Sequence, residues 1–410
     1  MKRNRVGIAL SAVGIHASIG SVYAWSVLTK PVMAEMGITL SSTTWAFSIA
    51  ILFLGLSAAF LGKFVERIGP RASGLLSMLF FCSGLIGTSL AVSMKSVALL
   101  YFFYGAVGGI GLGIGYITPV STLVKWFPAR RGFATGLAIM GFGFASLIGG
   151  PLMQKLTALY GLSANFLIMG GAYAVVMTLS SLYLMPPKAG ETVDLTKLSD
   201  DASEKLKKAA AAQTGRQYTR REAVQTWEFW SLWWLFFTNI TCGIGLLAVA
   251  SPMAQEAVGM NAAGAAALVG AIGIVNGLGR LAWSTLSDWM GRASTYVLFF
   301  VIETAAFCAL AQTPSEALFY ILVLTIISCY GGGFSCMPAF LSDLFGVRQL
   351  SSIHGIMLTA WALAGIAGPM LLSVIKETTG SYHQTMLVFA GLMLAALVLS
   401  VILKVKSSKH

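Results

Sequence analysis

From Asn261 to Arg292 the chain reads NAAGAAALVGAIGIVNGLGRLAWSTLSDWMGR. The run is apolar and long enough to cross a bilayer, which takes about 20 residues. It holds one cation, Arg280, near its middle, and ends in a short polar turn carrying Ser287-Asp288 and Gly291-Arg292. Every other Lys or Arg falls at an expected helix end, loop or tail. From Arg280 to Asp288 is about 12 Å of helix, farther than the side chain comfortably snorkels. A charge at mid-bilayer depth costs about 2.5–3.5 kcal/mol even on the cheapest scale. Arg280 should therefore face a protein-lined cavity and meet an anion there.

Composition generalises this reading. Of 410 residues, 57% are hydrophobic and only 10% charged, against about 25% charged in an average soluble domain. A soluble fold would have almost no surface. The net charge of +12 is not a nucleic-acid footprint, because most Lys and Arg fall at one side of the expected spans. That asymmetry follows the positive-inside rule and puts both termini in the cytoplasm. The five cysteines, Cys82, Cys242, Cys308, Cys329 and Cys336, all sit in apolar runs without CxxC spacing, so neither a disulfide frame nor a metal site is indicated. MKRNR and the long apolar run after it read as an uncleaved first helix.

Twelve spans are expected, at roughly 6–29, 43–65, 72–94, 97–126, 132–158, 164–185, 229–252, 262–288, 293–311, 315–343, 350–376 and 382–404, each near the length a bilayer requires. The fold class is thus an all-α membrane protein with two six-helix halves, 1–185 and 229–410, joined by a polar cytoplasmic linker at 186–228. Ala202 to Ala212 has helical composition and reads either as a surface helix or as solvated linker.

The halves look like repeats. Glu66-Arg67-Ile68-Gly69-Pro70-Arg71 follows the second span and Asp288-Trp289-Met290-Gly291-Arg292 the eighth. Lys125-Trp126-Phe127-Pro128-Ala129-Arg130-Arg131-Gly132 follows the fourth span and Asp343-Leu344-Phe345-Gly346-Val347-Arg348 the tenth. The offsets, about 222 and 218 residues, are nearly constant, and repeats of this kind place a substrate at mid-membrane between the halves. Gly270, Gly273 and Gly277, and the glycines crowding 105–115, predict close helix packing rather than a nucleotide loop.

With twelve spans, a central loop and the repeated acidic-Arg-x-Gly turn, the chain resembles the major facilitator superfamily over its whole length. Within it, Ser18-Ile19-Gly20-Ser21-Val22-Tyr23-Ala24-Trp25, the Lys125-Trp126-Phe127-Pro128 segment with Arg131-Gly132, and the Asn276–Arg280 pair resemble the oxalate/formate antiporter family. More loosely they resemble the animal monocarboxylate transporters; a bacterial transporter of lactate type is the nearest kind. The resemblance implies alternating-access transport of a small monocarboxylate, such as lactate or pyruvate, across the bacterial cytoplasmic membrane with protons. Carboxylate exchange of formate/oxalate type and, less naturally, a non-transporting carboxylate sensor are the other readings.

Arg280 would clamp the carboxylate, since a guanidinium forks onto it with two parallel bonds. Asn276, four residues earlier on the same face, would orient the guanidinium or the substrate. By resemblance, the animal proteins carry there an aspartate that takes the proton, which an amide cannot do. Trp361 stands where oxalate transporters carry a second cation. One cation suits one carboxylate, because the second group of a dicarboxylate would lie unpaired in a dry site. Tyr116, Phe142, Tyr330 and Phe334 match pocket-lining positions of the resembling family, and Leu28 and Tyr23 join them as wall residues. Proton-coupling candidates are His16 and Glu303; His354 is expected to be structural. The resemblance also implies that Glu66, Arg67, Arg71, Asp288, Arg292 and Asp343 form inter-helix ion pairs at a cytoplasmic gate. No catalytic constellation, metal cluster, cofactor site or nucleic-acid partner is expected; the chain is read as a monomer in a lipid bilayer.

Overall fold

The computed structural model describes residues 4–126, 131–187, 217–346 and 349–407. The described residues are mostly helical: α1 (Arg5–Met36), α2 (Leu40–Phe60), α3 (Gly62–Ser93), α4 (97–126), α5 (Arg131–Tyr160), α6 (Leu162–Tyr183), α7 (Trp227–Ala257), α8 (Ala262–Met290), α9 (Arg292–Leu310), α10 (Glu316–Phe345), α11 (Leu350–Thr379) and α12 (His383–Ser407). Among the described residues, 11 helical segments are long and apolar enough to cross a membrane, one in each of these helices except α5. The protein is therefore a multi-pass membrane protein.

Short polar side chains start the helices. Thr39 accepts from Ser42 N, Thr226 from Phe229 N and Asn261 from Gly264 N, each satisfying an amide that has no helical partner. The first span does not stop at residue 29 as expected. Pro31 is accommodated within the helix, which runs to Met36 and closes where left-handed Gly37 (φ 66°) donates to Met33 O. Inside α1, a tighter turn at Gly20–Ala24 carries Tyr23. A non-helical Val249 above Pro252 kinks α7.

The duplicated turn leaves a backbone signature. Gly69 and Gly291 hold nearly the same conformation, φ 81° and ψ 165° against φ 82° and ψ 144°. Only glycine takes that region without strain, so both copies of the motif need it at this place.

Four interfaces position the centre. α2 lies along α11, α5 along α8, α1 against α7, and α10 fits between α8 and α9. Ahead of α7, Tyr218 N bonds Phe345 O at 3.0 Å, and a single turn, Arg220–Ala223, closed by a Thr219/Glu222 capping box, precedes the helix. The 202–212 segment and Phe127 to Arg130 lie outside the described residues.

Candidate functional site

Arg280 is buried at 5% exposure within the bundle, not against lipid. Its Nε donates to Asn276 Oδ1 at 3.2 Å, the contact that four-residue spacing on one helix allows. Its guanidinium carbon sits 5.1 Å from the centre of the Phe334 ring, a cation–π arrangement strengthened by burial. The Tyr23 and Tyr116 hydroxyls are close enough to interact with the same guanidinium.

A ring of aromatic groups closes around it. Tyr23 Oη meets Tyr330 Oη at 3.1 Å, joining α1 to α10. Tyr23 stands edge-on to Phe142 at 4.9 Å, and Phe142 edge-on to Tyr116 at 5.8 Å. Tyr116 contacts Trp361 at 5.5 Å, Trp361 contacts Phe334 at 5.0 Å, and Phe334 returns to Tyr330 at 5.4 Å. Eight residues singled out from the sequence, Arg280, Asn276, Tyr23, Tyr116, Phe142, Tyr330, Phe334 and Trp361, are thus brought into one cluster drawn from α1, α4, α5, α8, α10 and α11. His16 joins its edge: the ring stacks on Tyr116 at 5.6 Å, with Nε2 3.0 Å from Tyr116 O.

The chemistry of the cluster is one-sided. Arg280 Nη1, Asn276 Nδ2 and Trp361 Nε1 are buried side-chain nitrogens without a hydrogen-bond partner, and each is a donor. The orientation of the Asn276 amide follows from its bond to Arg280, which requires the oxygen on that side. Buried polar groups are normally satisfied; three donors in one cluster fit a ligand made of acceptors.

Other expectations fall elsewhere. Leu28 lines a separate cavity of about 10 Å³ with Trp25, Tyr104 and Phe166, room for at most one water, and is not among the contacts of the Arg280 cluster. Glu303 is fully buried on α9 and receives both its hydrogen bonds, each 3.1 Å, from Asn239 Nδ2 of α7. His354 lies near the start of α11, and none of the ring contacts of the cluster involves it.

The expected gate set is only partly joined. Arg292 pairs with Asp288, and with Asp343 of α10 at 3.6 Å. Arg71 instead donates to Leu182 O at 2.9 Å, and Arg67 is exposed; the Glu66 side chain lies outside the described ones. Both Arg292 pairs stay within the second half, so among the described residues no ion pair of this set joins the halves. Cross-half pairing lies at the opposite end, which the sequence reading passed over. Glu256 of α7 pairs with Lys30 of α1 at 3.6 Å and Lys376 of α11 at 3.1 Å. Glu377 caps α2 by accepting from Ser41 N at 2.6 Å and Ser41 Oγ at 2.7 Å. The available signal was a carboxylate and two lysines at the ends of three different helices. Phe236, edge-on to Phe334 at 5.1 Å, was also missed, being one of many aromatics in α7.

Comparison with known proteins agrees with this architecture. The family model described as Major Facilitator Superfamily matches residues 9–369. The chain is 28% identical over 370 residues to the uncharacterized MFS-type transporter YhjX of Escherichia coli (strain K12), covering 89% of this chain and 87% of that one. It is 27% identical to the oxalate:formate antiporter of Oxalobacter formigenes, covering 92% and 86%. It is 24% identical to monocarboxylate transporter 9 of Gallus gallus, covering 91% and 87%. Among solved structures, a bacterial homolog of the human lysosomal transporter Spinster superposes with a TM-score of 0.73 at 16% identity, covering 98% and 97%.

Proposed function

The chain belongs to the Major Facilitator Superfamily, and on that premise we propose that it is a secondary transporter of a small monocarboxylate, of lactate or pyruvate type, coupled to a proton. The observation that carries this reading is the set of unpartnered donors on Arg280, Asn276 and Trp361. A carboxylate offers two oxygens with about four lone-pair sites, and a buried guanidinium meets it with charge-assisted bonds. The aromatic wall takes the short aliphatic remainder. Trp361, neutral and buried, supplies a donor but no second charge, so the second group of a dicarboxylate would be desolvated against uncharged walls.

The membrane reading extends accordingly. α5 is the twelfth span, the halves run 1–185 and 229–410, and both termini face the cytoplasm of a bacterium, as the Lys/Arg asymmetry indicates. The Lys30–Glu256–Lys376 pairs then lie on the outer side. Alternating access proceeds by rocking one half on the other, with the substrate held at their interface. Breaking these outer pairs and the Tyr23–Tyr330 bond admits the anion; separation at the opposite end releases it.

Anion exchange is the second reading, favoured by the oxalate:formate antiporter among the relatives and by the absence, among the described residues, of a carboxylate or histidine bonded to Arg280. Purified protein in proteoliposomes separates the two. Net lactate uptake driven by an inward proton gradient, with no anion inside, supports symport. Uptake that requires preloaded anion supports exchange, and no flux in either format refutes the transport of monocarboxylates.

A further inference from the structure

Glu303 and Asn239 face each other in full burial between α9 and α7. A carboxylate buried without a cation is expensive in a bilayer and marks function. Among the described residues, no Lys, Arg or His forms an ion pair with it. Cys242 from α7, Cys329 from α10 and Tyr296 from α9 itself lie within electrostatic range of it. α8 turns Trp283 onto Phe299 of α9 while its Arg280 points to Phe334. α12, also packed on α9, carries titratable groups only towards its ends, His383, Lys404 and Lys406.

The pair is built for two protonation states. As a carboxylate, Glu303 accepts from Asn239 Nδ2; the other atom of that amide, Oδ1, is buried with no partner. When a proton sits on Glu303, a turn of the Asn239 amide brings that oxygen round to accept from the new O–H. Few buried partners can satisfy both forms without a cation.

A strip of α10 without side chains connects this pair to the anion site. Gly331 lies against Asn276, where an added Cβ would come within 2.5 Å of its backbone oxygen and 2.7 Å of Oδ1. Gly333 lies against the Asn239 amide, and its carbonyl accepts from Tyr296 Oη at 2.8 Å. The asparagine beside Arg280 and the asparagine beside Glu303 therefore pack on the same three-residue segment, flanked by Tyr330 and Phe334.

We propose that Glu303, held by Asn239, is the proton-binding site of the carrier, and that it balances the charge of Arg280 in each half of the cycle. This rests on the monocarboxylate–proton reading above. With substrate bound, Arg280⁺ and the carboxylate cancel and Glu303 carries the proton, so the buried charge sums to zero. With no substrate, Arg280⁺ remains and Glu303 is ionised, and the sum is again zero. The proton comes from water on the uptake side, bonds to a Glu303 oxygen, and leaves to water on the other side, one for each carboxylate. Both forms cross the bilayer uncharged, which removes the obstacle that a lone Arg280⁺ would raise to the return of an empty carrier. Glu303 acts here as a positioning and coupling residue, since nothing brings it to the substrate.

The test is Glu303→Gln in proteoliposomes. The substrate-bound form of this variant stays neutral, while its empty form carries an uncompensated charge. Lactate-for-lactate counterflow should stay within about threefold of the parent protein while net uptake driven by a pH gradient falls by more than about tenfold, the split expected when one protonation-linked step is lost. Net uptake by the variant at the parent rate and with the parent pH profile would overturn the proposal. If the parent protein itself takes up lactate only against internal anion, the symport reading fails instead. A measurement on the parent protein guards against a misfolded variant: infrared difference spectra with isotope-labelled glutamate should show a protonated carboxyl band gained when lactate binds. Absence of any such band would also overturn it.

Discussion

The two halves line the centre with different chemistry. From the first half come Tyr23, Tyr116, Phe142 and His16, rings and hydroxyls without a fixed charge. From the second come Arg280 with Asn276 and, behind α10, Glu303 with Asn239. Gly69 and Gly291 hold equivalent backbones, yet the buried Arg280 and Glu303 both lie on helices after the linker. The contacts that join α1–α6 to α7–α12 around the cluster are made of hydroxyls and ring edges, with the Lys30–Glu256 pair at one end.

Four substitutions would break or sharpen that contrast. Arg280→Met should reduce lactate uptake by on the order of 100-fold, the loss expected from a desolvated charge-assisted pair. Its melting temperature should hold or rise, because an unpaired buried charge is removed; uptake by reconstituted protein and thermal melting check the two parts. Gly331→Ala places a methyl group against Asn276; overpacking costs about 1–3 kcal/mol, read as a lower melting temperature together with weaker lactate binding. Tyr23→Phe deletes the bond to Tyr330 that spans the halves. A hydrogen bond of this kind contributes about 0.5–1.5 kcal/mol, so transport rates measured by counterflow should change by about three- to tenfold. Glu256→Gln removes two solvated ion pairs, which contribute little. A change within about twofold is expected, larger at low salt than at high salt.

The helical class and the order of the helices were legible because a helix of bilayer length is almost the only structure such apolar runs can form. Arg280, Asn276 and the aromatic positions could be read because a cation at that depth has few permissible surroundings, and the resemblance supplied the walls. Leu28 lies against Trp25, Tyr104 and Phe166 rather than among the ring contacts of the Arg280 cluster, beyond a tight turn at Gly20–Ala24 that no regular periodicity reveals. The end of α1 was missed because Pro31 lies within the helix and does not stop it. The Glu256 pairs were missed because its partners, Lys30 and Lys376, are far apart in sequence and reach α7 from α1 and α11 only in the folded bundle. The bond between Asn239 and Glu303 had no sequence signal, since α7 and α9 carry no fixed spacing relative to each other.

Equilibrium lactate binding by purified Arg280→Met protein, against the parent chain and with a dicarboxylate as competitor, bears most directly on the guanidinium as the anion site. Binding should vanish in the variant, and the parent should prefer lactate to the dicarboxylate. Undiminished lactate affinity without Arg280 would contradict the assignment.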